Sequence, residues 1–459
     1  MPMLLHLIFL GALGACAGLF LMRRARGKTW MGLGFGMLFL GLLIHQGWWQ
    51  IHGANDPQFL HFRDHFDGRK KALRGHLLDR NGKRIEASPA TYHLLGYNKK
   101  GAITGLEKIY NIRLAGNILP NNADELLQRM PPQDVTLSID ADLQTIAYAA
   151  LNGQRGAVVA LDPRTGEILA LVSSPSVSLQ ALETGTIDKT HSPEFNRATQ
   201  GLYPPGSVFK IFTAALAIES GQAHPRTCPP KGWRPARGTP PIRDTHANNA
   251  QTPLAISTAF AESSNIWFAK AAVDCGWDNF YSAFQRARLD QGLTLAQEGD
   301  LSMGTTRGRL PSLKGKSAAL AYPGFGQGDL LLTPMHVATL TATIANDGLM
   351  HIPHLEKEAP LLQPVRVWKP STAQNVKALM AASVTQGTSR NISIEGLSIC
   401  GKTGTAERAG QTSHAWFTCF APKENPRIVI TVLVEHGGYG AVSALPIAKA
   451  LLQQIFQKY

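Results

Sequence analysis

The chain reads as an α+β protein: a five-stranded antiparallel sheet covered by helices, behind an N-terminal transmembrane hairpin. Three observations carry that reading. Two apolar, uncharged stretches of about 20 residues stand near the start, each long enough to cross a bilayer. Strand-like runs later in the chain have connections short enough for antiparallel pairing, with apolar helical runs between them. Three polar strings, Ser207-Val-Phe-Lys210, Ser263-Ser-Asn265 and Lys402-Thr-Gly404, fall where helices or strands begin.

The predicted membrane spans are residues 3–22 and 30–49, within a hairpin over residues 1–50. Arg23-Arg-Ala-Arg-Gly-Lys28 separates them, and positive loops stay cytoplasmic, so both ends of the hairpin are expected outside. Trp48 and Trp49 would sit at the interface. Neither stretch ends in a clear small-residue cleavage site, which favours spans over a cleaved leader. Residues 51–134 are charged, loop-rich and short of apolar periodicity, a linker or small accessory region, with Pro131-Pro132 near its end. The main domain is expected from residue 135 to 459.

Gly156 to Ala170 opens that domain as a hairpin. Ser207 follows Tyr203-Pro-Pro-Gly206, a rigid step and then a glycine that can turn the chain into a helix start. Val208 to Ser220 is apolar nearly all round and Gly221 closes it, a buried helix whose N-terminus faces the reaction centre. Residues i and i+3 share a helix face, which sets Lys210 beside the Ser207 hydroxyl. A serine is a poor nucleophile without a neighbouring base. A desolvated lysine loses its proton readily and can be that base.

Ser263 lies 56 residues and Lys402 195 residues beyond Ser207. The Ser-Ser-Asn string interrupts a helical stretch between Leu254 and Lys270. Ser263 can relay a proton between Lys210 and a leaving amine, and the Asn265 amide can hold a peptide by paired donor and acceptor bonds. Ser398 to Ala406 alternates as a strand, and His414 to Ala421 reads as its partner across a polar loop. Lys402 would face a substrate carboxylate. Thr403, Gly404, Thr405 and Trp416 are expected at the substrate, Gly404 by letting a ligand backbone approach. The backbone N–H groups of Ser207 and Thr405 would form an oxyanion hole. Arg427 to Glu435 is a buried strand, the fifth, and Pro446 to Tyr459 a terminal helix.

Lys and Arg outnumber Asp and Glu by 45 to 32, a net charge of +13. No nucleic-acid-binding motif accompanies the excess, so an anionic membrane surface or wall polymer suits it better. The five cysteines lack metal spacing. His61-Phe-Arg-Asp-His65 has ligand-like spacing without an evident third ligand and reads as a surface pair. No metal or cofactor is expected.

Asn196 to Lys210 resembles the nucleophile region of the monofunctional, class B penicillin-binding proteins. Gly156 to Ala170 is similar to the first hairpin of their catalytic domain, Gly326 to Pro334 and Ile344 to Gly348 to segments between their second and third motifs, and Arg74 to Gly82 to the start of their pedestal. The resemblance runs from about Arg74 onward. It implies the penicillin-binding transpeptidase, or serine β-lactamase-like, fold, with residues 51–134 a much reduced pedestal. Two spans are a departure, since the family usually carries one. The implied activity is a peptidoglycan D,D-transpeptidase, a serine acyltransferase acylated by stem peptides and by β-lactams. The implied partner is a multi-spanning glycosyltransferase of the shape, elongation, division and sporulation group, and the implied place is the bacterial inner membrane, catalytic domain outside.

Two other readings compete. A β-lactamase or D,D-carboxypeptidase would deacylate with water, and class A enzymes use a glutamate for that step. None of the glutamates in the corresponding stretch, Glu298, Glu356 and Glu358 among them, sits in a Glu-x-x-Leu-Asn string. A non-catalytic penicillin-recognising scaffold would be expected to couple to a cytoplasmic output domain, for which the N-terminus leaves no room. A bifunctional polymerase is excluded on the same basis of length. Family relatives usually carry small residues where Cys400 and Cys419 stand. If Lys402 faces Phe417, these two cysteines face each other at disulfide distance; Cys228 and Cys275, flanking the Ser263 loop, are a second candidate pair.

Overall fold

The computed structural model describes residues 39, 41–42, 74–99, 102–116, 131–245, 252–310, 317–358, 362–408 and 410–457. The predicted spans (apart from Phe39, Gly41 and Leu42), the Arg23–Lys28 loop and the His61/His65 pair lie outside those residues. Among the described residues no helix is long and apolar enough to cross a membrane.

Residues 75–459 form one compact unit built on five antiparallel strands. These are β1 (Gly156–Leu161), β2 (Ile168–Ser174), β3 (Cys400–Arg408), β4 (Gln411–Ala421) and β5 (Ile428–Val434). Their spatial order is β3-β4-β5-β1-β2, so the last strand to be made is the middle one. One face carries Val159, Trp416, Phe420, Val429 and Leu433. It packs on helices α2 (Lys210–Glu219), α3 (Ile256–Ala261), α4 (Asn265–Arg286), α5 (Pro334–Ala345) and α6 (Pro370–Thr385). Val158, Ala160, Phe417, Ile430 and Val432 point the other way, against α1 (Ala141–Ala150) and α7 (Gly440–Gln457). With both faces covered, β1 and β5 are buried at every position and, Thr431 apart, apolar throughout, with no alternation. Leu77, Leu94, Leu106, Tyr110 and Leu114, from the chain before the sheet, join the first of these cores.

Two expectations are corrected. The terminal helix starts at Gly440, not at Pro446, which lies inside it. A proline within a helix removes one intrahelical bond, here the one that the carbonyl of Val442 would accept, and Val442 is 70% exposed, where water can satisfy that carbonyl. The hairpin register is one residue away from the one assumed. Lys402 pairs with Thr418, Gly401 with Cys419 and Cys400 with Phe420. A one-residue slip moves a side chain to the other face of a sheet. Cys400 accordingly packs in the core with α6, its thiol directed at the Lys377 carbonyl, 3.4 Å away, while Cys419 packs toward α7. Cys228, Cys275, Cys400 and Cys419 are all free and buried, so neither candidate disulfide exists.

Candidate active site

Ser207 sits in a 3₁₀ turn, Gly206–Phe209, that runs directly into α2 at Lys210. The turn is anchored from three sides. Gly206, at φ +57°, donates its N–H to the Gly326 carbonyl at 2.8 Å. The Trp416 indole donates to the Pro204 carbonyl at 3.0 Å, and the Tyr203 hydroxyl to Glu435 at 2.7 Å. Trp416 is therefore a fully buried support for the turn and not part of a ligand surface. Gly404 is packed closely on the serine turn. A Cβ there would come within 3.0 Å of both Val208 Cγ1 and Trp416 Cβ, so its bareness admits the serine turn.

The second string lies where expected, between α3 and α4. Ser263 is left-handed at φ +62°, a conformation a non-glycine residue keeps only when its surroundings fix it. Ser264 caps α4 by accepting the Trp267 N–H at 3.1 Å. Asn265, first in that helix, donates to the Arg243 carbonyl at 3.0 Å, which leaves its Oδ1 facing Lys210.

Lys210 Nζ is the hub. It lies 2.9 Å from Ser207 Oγ, 2.7 Å from the Ser263 carbonyl, 2.7 Å from Asn265 Oδ1 and 3.1 Å from Ser263 Oγ. Burial, with the nearby charge of Lys402 adding to it, pushes the Lys210 ammonium well below its usual range, against a smaller opposing pull from Asp244. Burial also lowers Lys402 to about 7. A neutral amine has two N–H bonds and one lone pair. The Ser263 carbonyl and Asn265 Oδ1 can only accept, so they take the two N–H groups. The lone pair is then left for the hydroxyl of Ser207 or Ser263. Lys402 Nζ, from β3, donates to Ser263 Oγ at 2.9 Å and to the Thr403 carbonyl at 3.2 Å.

Thr403 shares a hydrogen bond with Thr388 at 2.8 Å. The Thr405 carbonyl accepts from Gln327 at 3.3 Å and lies against Gly206, so β3 passes directly beside the Ser207 turn. Thr388, Gln327 and Asp244 carry no signal in the sequence that marks them as site residues. Thr388 and Asp244 are common polar residues outside any motif, and Gln327 lies in the Gly326–Pro334 segment without a role read for it; only the fold brings them near. Glu298 and Glu356 are both bound by Arg113, at 2.7 Å each, and Glu358 is exposed.

Three strings far apart in sequence thus converge beside one edge of a helix-covered antiparallel sheet, which defines the class of penicillin-recognising serine proteins. Residues 156–453 match the penicillin binding protein transpeptidase domain. The chain belongs to the penicillin-binding protein transpeptidase family, in its class B, monofunctional branch. It is 33% identical over 417 residues to the peptidoglycan D,D-transpeptidase PbpA of Mycolicibacterium smegmatis, a match covering 80% of this chain and 81% of that one. Against the peptidoglycan D,D-transpeptidase MrdA of Haemophilus influenzae identity is 28%, over 82% of this chain and 66% of the relative. Penicillin-binding protein A of Mycobacterium tuberculosis, solved as its penicillin G acyl-enzyme complex, superposes with a TM-score of 0.71 at 26% identity, covering 84% of this chain and 100% of that chain.

Proposed function

We propose that the chain is a peptidoglycan D,D-transpeptidase that cross-links stem peptides through a serine acyl-enzyme and is acylated by β-lactams. The observation that carries this is the single hub: Lys210 Nζ within 2.9 Å of Ser207 Oγ and hydrogen-bonded to both Ser263 and Asn265. In this reading neutral Lys210 takes the Ser207 proton as Oγ attacks the carbonyl carbon. The backbone N–H groups of Ser207 and Thr405 hold the oxyanion, and losing one such donor typically costs roughly 10²–10³ in rate. Ser263, between Lys210 and Lys402, passes the proton to the leaving amine. An acceptor amine then reverses the steps. Lys402, with the hydroxyls of Thr403 and Thr405, receives the substrate carboxylate.

The same reading places residues 1–50 in the cell membrane as a two-span hairpin and residues 51–134 as a reduced pedestal. It leaves residues 135–459 outside as the transpeptidase domain, working beside a multi-spanning glycosyltransferase. Charge and hydropathy of the sequence support it. Labelling with fluorescent penicillin followed by peptide mapping tests the chemistry: the adduct is expected on Ser207, and one on Ser263 or Ser264 would overturn the assignment. Reporter fusions at Gly27 and Gly53 test the hairpin. They should read cytoplasmic and external respectively, and one compartment for both would refute it.

A further inference from the structure

A short segment outside the three strings is bonded to the last two residues of the second one and to the residue that follows them. The Arg243 carbonyl accepts from Asn265 Nδ2 at 3.0 Å. Asp244 accepts from Ser264 Oγ at 2.8 Å and from the backbone N–H of Ile266 at 2.9 Å. We propose that Asp244 is a positioning residue of the acylation machinery, a carboxylate splint that fixes the Ser263-Ser264-Asn265 turn against Lys210. The proposal rests on the serine acyl-enzyme reading above.

Proton accounting supports the splint. Ser264 has one hydroxyl proton and two neighbours for it, Asp244 at 2.8 Å and Cys228 Sγ at 3.5 Å. A carboxylate can only accept, and a charge-assisted bond is the shorter and stronger of the two, so the proton goes to Asp244. The same hydroxyl oxygen then accepts the Trp267 N–H at 3.1 Å. Both Asp244 oxygens are thus engaged at the start of α4, a place that favours negative charge. Without the carboxylate, the Ser264 proton can turn to Cys228, and no other described residue holds the Ile266 N–H. Ser263, one residue earlier and left-handed at φ +62°, depends on such fixing. Its carbonyl and hydroxyl are two of the four Lys210 contacts, and Asn265 supplies a third. A small shift of the turn therefore moves most of the base's surroundings at once.

Asp244 also acts by its charge. Among the described residues, Lys402 and Asp244 are the charged groups that bear on Lys210, in opposite directions. Arg226 and Lys270 bear on the buried Cys228, as Asp244 does. Removing the Asp244 charge should let the Lys210–Lys402 pair deprotonate at lower pH, a macroscopic property of the pair.

Acylation by fluorescent penicillin, measured against pH in the native protein, Asp244→Asn and Asp244→Ala, tests this alongside thermal melts. The alanine variant is expected to acylate about 10²-fold more slowly, the scale of a small misplacement. Asparagine keeps one acceptor and one donor in the same shape, so it should recover at least tenfold of that loss. Its acid limb should move to lower pH. An alanine variant within twofold of native, or an asparagine variant whose acid limb does not move, overturns the proposal. If the alanine variant fails to fold, the asparagine profile decides alone. A native protein that forms no Ser207 adduct would instead sink the acyl-enzyme reading itself.

Discussion

Lys210 and Lys402 meet across one hydroxyl: their side-chain nitrogens stand 3.1 and 2.9 Å from Ser263 Oγ, one reaching from α2 and the other from β3. Both are fully buried. Two ammonium groups sharing one oxygen in a dry site disfavour each other's charge, so the pair carries at most one positive charge near neutral pH.

That arrangement sets a pH profile. With its ammonium lowered to about 7, Lys402 is charged below that pH and neutral above it. Capture of a carboxylate-bearing β-lactam should weaken as pH rises through 7, giving an alkaline limb in the second-order acylation rate. Lys210 is itself pushed well below its usual range by burial and by the nearby charge of Lys402. Replacing Lys402 with methionine should lower the rate and abolish the limb. A native profile that is flat from about pH 6 to 9 would contradict the assignment.

Ser263→Ala removes the oxygen between the two nitrogens while leaving the Ser263 carbonyl that Lys210 also contacts. Acylation should slow by roughly 10²–10⁴-fold, the usual worth of a positioned proton carrier. The melting temperature should change little. A variant acylated at the native rate would show that the proton travels without Ser263.

Gly404→Ala is expected to damage the site from behind. The new methyl would press on Val208, Trp416 and the Pro205 carbonyl, which lies 3.2 Å from the added carbon. Overpacking of this kind typically costs about 1–3 kcal/mol, and here the strain falls on the turn that carries Ser207. Loss of both stability and penicillin labelling is expected; unchanged labelling would place the slack elsewhere.

The acyl-enzyme should persist in water. Glu298 and Glu356 share Arg113, side chain against side chain, and stand in an ion cluster, not beside Ser207. Turnover of a chromogenic β-lactam should stay below about one per second, the lower end of typical enzyme rates, and Glu298→Gln should leave it unchanged. Faster hydrolysis would indicate a lactamase.

Much of this was legible in the chain because its signals are local. Tyr203-Pro-Pro-Gly206 announces the serine turn, and β5, apolar but for Thr431, announces a strand buried on both faces. The three strings marked Ser207, Lys210, Ser263, Asn265 and Lys402, which the fold brings together. Pairing was the weak point. Sequence fixes which residues alternate along β3 and β4, whereas register depends on how the turn between them closes, and a bulge between Ala406 and Arg408 alters the count. That single residue is why Cys400 and Cys419 were placed together and are in fact on opposite faces. Trp416 was misread for a related reason: an aromatic residue beside a site suggests contact with ligand, and only packing shows that its ring is spent on Pro204. Asp244 carried no local signal at all.

The strand order also governs how the molecule comes into being. β5 bridges β4 on one side and β1 on the other, yet it follows β1 by more than 260 residues. Until Ile428–Val434 emerges from the ribosome, the β1–β2 hairpin and the β3–β4 hairpin have no strand between them, and Ser207 waits beside a wall that does not yet exist. Pairings of such sequence separation make for slow folding and long exposure of apolar edges. A chain stopped just short of Ile428 would contain every residue of the three strings and still be two unconnected hairpins, so such a truncation should be cleared as unfolded protein and should never appear as a weakened enzyme.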